Sequence, residues 1–393
     1  MLYAYYEKVG ERKKKKMETN QIYGLINSLA QQSMGESAIT VTDTASLVSL
    51  GNAVLSSNTN TDAFTNVLVQ RIARTIVSYR AYRNQLGNLA KSNIEWGAII
   101  QKLKVAMPKA TEDETYNLVD GQSVDMFKVS KPTTRQKFFV KRTPYNFFVT
   151  FQRVTMREAF TSADAFGAWV SAVYGEVQNK LELSSENEGR AAMANMAGQV
   201  YNAAKPAQVV KLITLYKAET GKTVTRENYK YDPDFMRFCM RRWKEDSKNL
   251  RSMSTTYNAE GEERHTPEEL QKFACLNSFM VAMETNVYYS AFHDEYLKKV
   301  VNLEIPYWQA EQSRDSISVK IEDGSAESGT KDVQIDGLVA MIFDTDALGT
   351  FKEEVETLNT PINAAARYWN TYWHAEKLWF NDLSENCIIY TLE

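Results

Sequence analysis

The sequence predicts an α+β fold of scaffold type, with long elements laid out in a fixed order instead of gathered around a reaction centre. Three observations carry this expectation. A polar, sparsely charged stretch leads up to about Asn66. An extended out-and-back pair of segments follows, its charge changing sign along its length. A helical pattern then runs over residues 161–197, before shorter helices and strands interleave.

With 393 residues, 44% of them hydrophobic, the chain can bury a sizeable core, and its length suggests two or three domains. Its 46 basic and 49 acidic side chains nearly cancel, so no global field draws it to nucleic acid or anionic membrane. No run of 18 apolar residues offers a membrane span, and the opening residues carry no apolar signal core. Cys239, Cys275 and Cys387 are far apart and form no CxxC pair, which fits free thiols in a reducing compartment and cytoplasmic synthesis. The five consecutive cations from Arg12 to Lys16 fit a solvated leader or an upstream start ahead of Met17, with an interior arm touching nucleic acid as the sharper alternative.

From Met17 to about Asn66, Ser, Thr, Asn, Gln and Ala dominate, with only Glu18, Glu36, Asp43 and Asp62 charged; such a stretch is expected to be an arm lying on other elements, without a core of its own. In DAFTNVLVQRIARTIVSYRAYRN, Phe64, Val67, Leu68, Ile72 and Ile76 recur at helical spacing while Arg71, Arg74, Arg80 and Arg83 fall off that face or near its end. This predicts one amphipathic helix with a solvated basic face.

Residues 94–154 read as extended chain, out along NIEWGAIIQKLKVAMPK and back along RQKFFVKRTPYNFFVTFQRVT, with Phe147, Val149 and Phe151 on one face. Lys102, Lys104 and Lys109 precede an acidic tip of Glu112, Asp113, Glu114, Asp120 and Asp125, and the basic residues Lys128, Lys131, Arg135, Lys137, Lys141 and Arg142 return. A long hairpin with an acidic end and basic legs cannot neutralise itself, so it suits complementary patches on neighbouring subunits; an ordinary solvated loop fits the same charges.

The strongest helix opens at a Thr161–Asp164 capping box and places Phe166, Trp169, Val170, Val173, Tyr174, Val177 and Leu181 on one stripe. Unbroken through Ala197 it would run roughly 55 Å, with Gly189 or the Ser184–Ser185 pair as earlier stops. Beyond it, helix starts are expected at Pro206, at Asp232–Pro233, and at HTPEE, where Thr266 caps and Glu269 returns the bond. SFMVAM, KVVNLEIPYW and GLVAMIFD read as strands, and SVKIEDGSAESGTKDVQ as a surface hairpin or loop.

Catalytic and metal signatures fail one by one. ETGKTVT resembles a phosphate loop, but Tyr216 stands where that loop needs its first glycine, so Gly221 reads as a helix-ending residue. His265, His293 and His374 have no metal-ligand spacing, and three histidines are a poor stock for acid–base work. Asp344 and Asp346 in DTDALG lack the other oxygens of a calcium loop and read as a strand end capping a helix. Near the end, Tyr368 and Tyr372 fall on one strand face and Trp369 and Trp373 on the other. That predicts a doubly buried central strand with His374 packed in it, continued after NDLSEN by CIIYTL.

This order of elements resembles the Hong Kong 97-type capsid fold of tailed phages, and several segments are similar to the major head protein of small short-tailed phages of the phi-29 (picovirus) type. DAFTNVLVQRIARTIV, FQRVTMREAFTSADAFGAWVSAVYGEV, LVAMIFDTDALG and NAAARYWNTYWHAEKLWFNDLSENCIIY carry the resemblance, with the colinear order weighing more than any one motif. It implies an N-terminal arm at residues 1–66, a helix leading into the peripheral domain at 67–93, an E-loop at 94–154, and a peripheral domain with its spine helix at 155–204. An axial domain would follow at 205–336, with return strands and a helix at 337–393.

The implied function is a major capsid protein, a virion component assembled in the host cytoplasm. It would self-assemble into pentamers and hexamers of an icosahedral podovirus head enclosing double-stranded DNA without sequence preference. The resemblance implies no catalytic residue, cofactor, metal or membrane partner, and implies scaffolding protein, portal and other head proteins as partners. The expected inter-subunit contacts are Lys102, Lys104, Lys109, Glu112, Asp113, Glu114, Asp120, Asp125, Lys128, Lys131 and Arg135. The alternatives are a cytosolic enzyme with a dispersed active site, or a nucleic-acid-binding protein using the arginine helix.

Overall fold

The computed structural model describes residues 19–35, 38–72, 84–89, 91, 100–105, 119–121, 123, 127, 129, 131–139, 142–287, 303–322, 329–352 and 355–393. Among them the helices are α1 (Thr19–Met34), α2 (Thr44–Leu55), α3 (Asn58–Ile72), α4 (Arg153–Ala159), α5 (Ala163–Ala203), α6 (Leu212–Thr220), α7 (Pro233–Asn249) and α8 (Asn277–Val287). The strands are β1 (Ile100–Val105), β2 (Thr134–Phe139), β3 (Arg142–Gln152), β4 (Val209–Lys211), β5 (Gln271–Leu276), β6 (Leu303–Ile305), β7 (Ile317–Glu322), β8 (Thr330–Ile335), β9 (Leu338–Asp344), β10 (Leu348–Lys352), β11 (Glu356–Asn359), β12 (Tyr368–Asn381) and β13 (Cys387–Thr391). The chain divides into two compact units, one of Met1–Asn93, Thr143–Gly189 and Phe351–Lys377, the other of Ile94–Arg142, Arg190–Thr350 and Leu378–Glu393.

In the first unit, the segment expected to be a coreless arm folds as α1, α2 and α3. Ile22, Ile26, Leu29, Leu47, Leu50, Val54, Phe64 and Leu68 are buried in one cluster with Phe151, Phe160, Phe166 and Trp369. The polar composition concealed this because a helix needs only one apolar residue in three or four to make a buried stripe. A capping box begins α2: the Asp43 carboxylate accepts from the Ser46 N–H (2.8 Å) and the Ser46 hydroxyl accepts from the Asp43 N–H (3.0 Å). Of the arginine helix, α3 ends at Ile72, and Arg74, Ile76, Arg80 and Arg83 lie outside the described residues.

β12 is the central strand of a sheet ordered β10-β12-β11, with β3 also pairing on it. Its Trp369 and Trp373 are buried, and the Trp369 ring stacks on Phe151 at 5.7 Å. Tyr368, Tyr372 and His374 on the opposite face are only half-buried, so the expected double burial is corrected to burial of one face. The extended hairpin was expected to reach Val154, but β3 pairs with β12, and Val154 lies in α4.

α5 has 41 residues, which makes it about 60 Å long at ~1.5 Å per residue. It passes without a break through Ser184, Ser185 and Gly189, and its start is capped by Ser162, not Thr161: the Ser162 hydroxyl accepts from the Ala165 N–H at 3.1 Å. Gly189 serves close packing, since a Cβ there would lie 3.0 Å from Leu86 Cδ1.

The second unit is built on a sheet ordered β4-β13-β9-β5-β6, in which every residue of β9 and β13 is buried. Uninterrupted apolar strands of this kind belong in the middle of a covered sheet. Trp243 of α7 packs on Phe273 of β5 at 4.7 Å and on Tyr390 of β13 at 6.0 Å. Asp232 caps α7 as expected, accepting from the Phe235 N–H at 2.9 Å with Pro233 at the first turn, and Gly221 ends α6 with φ 72°. β7 and β8 form the expected antiparallel hairpin.

Four local expectations here are corrected. Pro206 precedes β4 and starts no helix. SFMVAM is the body of α8, because its apolar run is too short for periodicity to separate helix from strand. Thr266 caps no helix; it is buried and its hydroxyl donates to Asp344 Oδ2 at 2.7 Å. DTDALG is a turn between β9 and β10, in which Asp344 Oδ1 accepts from the Asp346 N–H at 2.8 Å.

Two glycines of the first unit test this packing. Gly51 sits in α2 where a Cβ would fall 2.6 Å from Phe160 Cβ, whereas Gly24 in α1 has nothing within 4 Å. In urea unfolding, Gly51→Ala is expected to destabilise by about 1–3 kcal/mol through overpacking. Gly24→Ala is expected to stabilise by about 0.5–1 kcal/mol through helix propensity.

Candidate assembly surface

β1 and β2 form the root of the charged hairpin, in antiparallel register from Ile100↔Phe139 to Val105↔Thr134. Strand alternation sorts their side chains onto two faces. Lys102, Lys104, Arg135, Lys137 and Phe139 face the second unit, to which the hairpin belongs, and Phe139 packs on Phe380 at 5.2 Å. Gln101, Leu103, Val105, Thr134, Gln136 and Phe138 face solvent. The root is thus partly inverted: its four cations point inward beside Phe139, while Leu103, Val105 and Phe138 point outward.

The inward lysines meet carboxylates of the same chain. Lys102 Nζ lies 2.7 Å from Asp382 Oδ2 and 2.7 Å from Glu385 Oε1. Lys104 Nζ lies 3.1 Å from Asp382 and 3.2 Å from Glu385. Lys137 Nζ donates to Asp382 Oδ1 at 2.9 Å and also to Glu260, while Arg135 reaches Glu262 at 3.2 Å. Arg264 ties the two acidic segments together, 2.9 Å from Glu262 and 3.5 Å from Glu385.

Asp382 is the centre of this arrangement, with a side chain sealed from solvent. Its position is set locally in NDLSEN by an Asx-type turn: Oδ1 accepts from the Ser384 N–H (3.1 Å) and hydroxyl (2.6 Å). Burial alone would raise its carboxyl, but hydrogen bonds from Lys102, Ser384 and Lys137 outweigh burial and hold it well below the usual carboxylate range. Burial likewise pulls Lys102 and Lys137 down, and their hydrogen bonds to these carboxylates more than reverse it.

Of the residues expected at subunit contacts, the structure brings Lys102, Lys104 and Arg135 together on this acidic rail, and leaves Asp120 and Lys131 exposed. Lys109, Glu112, Asp113, Glu114, Asp125 and Lys128 lie outside the described residues. The root's basic charge, expected to seek partners on other subunits, is matched within its own chain. Asp382, Glu385, Glu260 and Glu262 went unnoticed in the sequence because they stand more than a hundred residues away. The usable signal was the pairing of Lys102 with Lys104 at strand spacing beside two short acid-rich loops, GEERH and NDLSEN.

The groups considered for catalysis are not gathered. Cys239, Cys275 and Cys387 are buried free thiols, and burial pushes each of them up, opposite to the direction a nucleophile needs. His265 is exposed, His374 stacks on Tyr372 at 5.9 Å, and His293 lies outside the described residues. Among the described residues no three His, Cys, Asp or Glu side chains are grouped to hold a metal ion, and no helix is long and apolar enough to cross a membrane.

A long continuous helix, a two-stranded charged hairpin, and separate sheets in two units define the Hong Kong 97-type fold of phage shell proteins. Two solved structures share it. A chain of the capsid structure of Staphylococcus phage Andhra matches with TM-score 0.54 and 12% identity, covering 81% of this chain and 87% of that one. A chain from the structure of the head fiber and inner core protein gp22 of native bacteriophage P68 matches with TM-score 0.54 and 11% identity, over the same shares of 81% and 87%.

The chain belongs to the Phi29-like phage major capsid protein family, whose profile matches residues 26–391. The major capsid protein of Bacillus phage GA-1 is 21% identical over 171 residues, 43% of this chain and 35% of the relative. The chain therefore spans about a third of the curated relative that it matches.

Asp382→Asn is expected to loosen the hairpin root by about 1–3 kcal/mol, because it removes the buried carboxylate that Lys102, Lys104 and Lys137 share and leaves Lys102 and Lys104 with Glu385 and Lys137 with Glu260. Hydrogen exchange at the amides of β1 and β2, but not of β9, should rise. The pH dependence has a defined sign. Asp382 is depressed in the folded state, so its contribution is complete above its ordinary value of 3.8 and is lost as pH falls towards the folded value. Lys102 and Lys137 are raised, so theirs is complete below 10.5 and is lost as pH rises through the folded values. Exchange protection of β1 and β2 should form a plateau between those limits.

Proposed function

We propose that this chain builds an icosahedral phage head by self-association into pentamers and hexamers, in the host cytoplasm, around double-stranded DNA held without sequence preference. The match to the capsid family over residues 26–391 supports the reading above all. Apolar burial between copies, at about 25 cal/mol per Å², would supply the attraction, with many modest contacts adding to a stable shell. Scaffolding protein, portal and other head proteins are further partners in this reading, which takes self-association of the chain to need none of them.

In this reading residues 94–142 are the E-loop reaching a neighbouring copy, residues 155–204 carry the spine of a peripheral domain, and residues 205–336 form the axial domain at capsomer centres. Exposed apolar side chains along the hairpin, Val119, Phe127 and Val129, fit a segment that is covered on assembly. The tip charges Glu112, Asp113 and Glu114 would set register and partner choice.

Purified chain should give closed isometric particles in negative stain and a matching fast boundary in sedimentation; small discrete oligomers alone would overturn the reading. Reversing Glu112, Asp113 and Glu114 to lysine should leave the far-UV circular dichroism unchanged while closed particles become scarce. Normal particles from that variant would remove the acidic tip from assembly.

A further inference from the structure

α7 carries a charge pattern that its packing does not use. The helix buries Phe235, Phe238, Cys239, Trp243 and Asp246, and that packing fixes which side meets water. At 3.6 residues per turn, Arg237, Arg241, Lys244 and Lys248 fall on the opposite side within an arc of about 60°, along about 17 Å at ~1.5 Å per residue. Lys222 stands at the start of this line and Arg251 follows two residues beyond the helix end. No acid lies within the arc; Asp234 and Glu245 flank it. In a chain with 46 basic and 49 acidic residues, a face serving solubility alone would mix the two signs.

The neighbouring carboxylates hold the stripe loosely. Arg237 lies 3.5 Å from Asp234, Arg241 pairs with Glu219, and Arg251 lies 2.5 Å from Glu268. Asp234 serves Lys222 as well, at 2.5 Å. The three arginines are 46–61% exposed, so water and salt screen these pairs and each contributes little. Arg242 marks the contrast on the same helix: turned off the stripe, it grips the buried Asp246 through two bonds of 2.9 and 3.0 Å. The cation that the fold needs is Arg242, and those of the stripe remain exchangeable.

We infer that this stripe of α7 holds double-stranded DNA by its phosphate backbone, which places it on the inner side of the shell. The inference rests on the shell-building reading and deepens it by naming the surface that meets the enclosed nucleic acid. An acidic peptide would only replace one exposed carboxylate by another. Duplex DNA instead carries one charge per about 1.7 Å and a condensed layer of counterions, whose release drives binding. Binders of single strands interleave aromatic platforms with their cations, and no aromatic stands at these positions. Contacts to phosphate alone carry no sequence information, as a shell protein requires.

The test uses the full chain, below the concentration at which particles form, and a short mixed-sequence duplex followed by fluorescence anisotropy between about 50 and 200 mM salt. Arg237→Gln combined with Lys248→Gln removes two cations that the core does not use and keeps helix propensity. Thermal unfolding should match that of the unsubstituted protein. The slope of log K against log salt should fall in magnitude by about 2, and affinity at the lower salt by about tenfold or more, equally on A·T-rich and G·C-rich duplexes. Lys13→Gln combined with Lys14→Gln, in the cationic run near the start of the chain, is the charge-matched control and should lose less. An unchanged slope in the α7 variant, an equal loss in the control, or polyglutamate competing as well as duplex at matched charge would overturn the inference.

Particle formation is scored separately. The α7 variant should give closed particles at the unsubstituted yield, because the stripe meets DNA and not another copy. A fall in yield with DNA binding intact would make the stripe a contact between copies and refute its assignment. Failure of the unsubstituted chain to form particles, with the difference in slope retained, would sink the shell-building reading and leave DNA binding by α7 standing.

Discussion

The burial of the Asp382 carboxylate is the constraint on which the hairpin depends. A lone carboxylate without water is costly, and the chain answers with lysines from both strands of one hairpin and a serine from the same turn. Because those lysines alternate along β1 and β2, satisfying the aspartate fixes which face of the hairpin points inward. The residues between them are then delivered to solvent whatever their polarity. A local electrostatic need thus decides a global property, the chemical character of the surface presented to other molecules.

The two units share their longest elements. α5 starts in the first unit and ends in the second, and β12 does the same. Within the first unit, α5 contributes Phe166, Val170 and Val177 to the core, and at Gly189 it admits Leu86 against its backbone. Within the second, Gly198 leaves the helix bare under the β7–β8 hairpin, where a Cβ would come within 2.4 Å of Val319 Cγ2. Small residues thus punctuate the helix where other elements approach it, which is why a glycine within a strong helical pattern was a poor stop signal.

What was legible in the sequence was what periodicity encodes. The stripe from Phe166 to Leu181, the continuous apolar run of β9, the alternation of Phe147, Val149 and Phe151, and the cap at Asp232 each depend on neighbours within a few residues. The failures have a common cause in partners that are distant. Thr266 looks like a helix cap until Asp344 is beside it, and Lys102 looks unpaired until Asp382 and Glu385 arrive. The leading segment misleads for another reason: its polar residues outnumber its apolar ones and mask the helical spacing of Ile22, Ile26 and Leu29. The sign of each hairpin charge was legible; its target was not, since local sequence carries no record of which strand face meets which loop.

β13 lies between β4 and β9 in the sheet of the second unit, yet it follows every other strand of that sheet in sequence. On the ribosome, β4, β5, β6 and β9 must therefore wait with an open slot between β4 and β9 until residues 387–391 emerge. Asp382 and Glu385, which anchor the hairpin, are translated just ahead of them. A nascent chain accordingly lacks both the strand that joins β4 to β9 and its hairpin anchor until synthesis has passed this point. Polypeptides released early would be unable to hold the hairpin in place, so the order of translation itself keeps incomplete copies from presenting the same surface as finished ones.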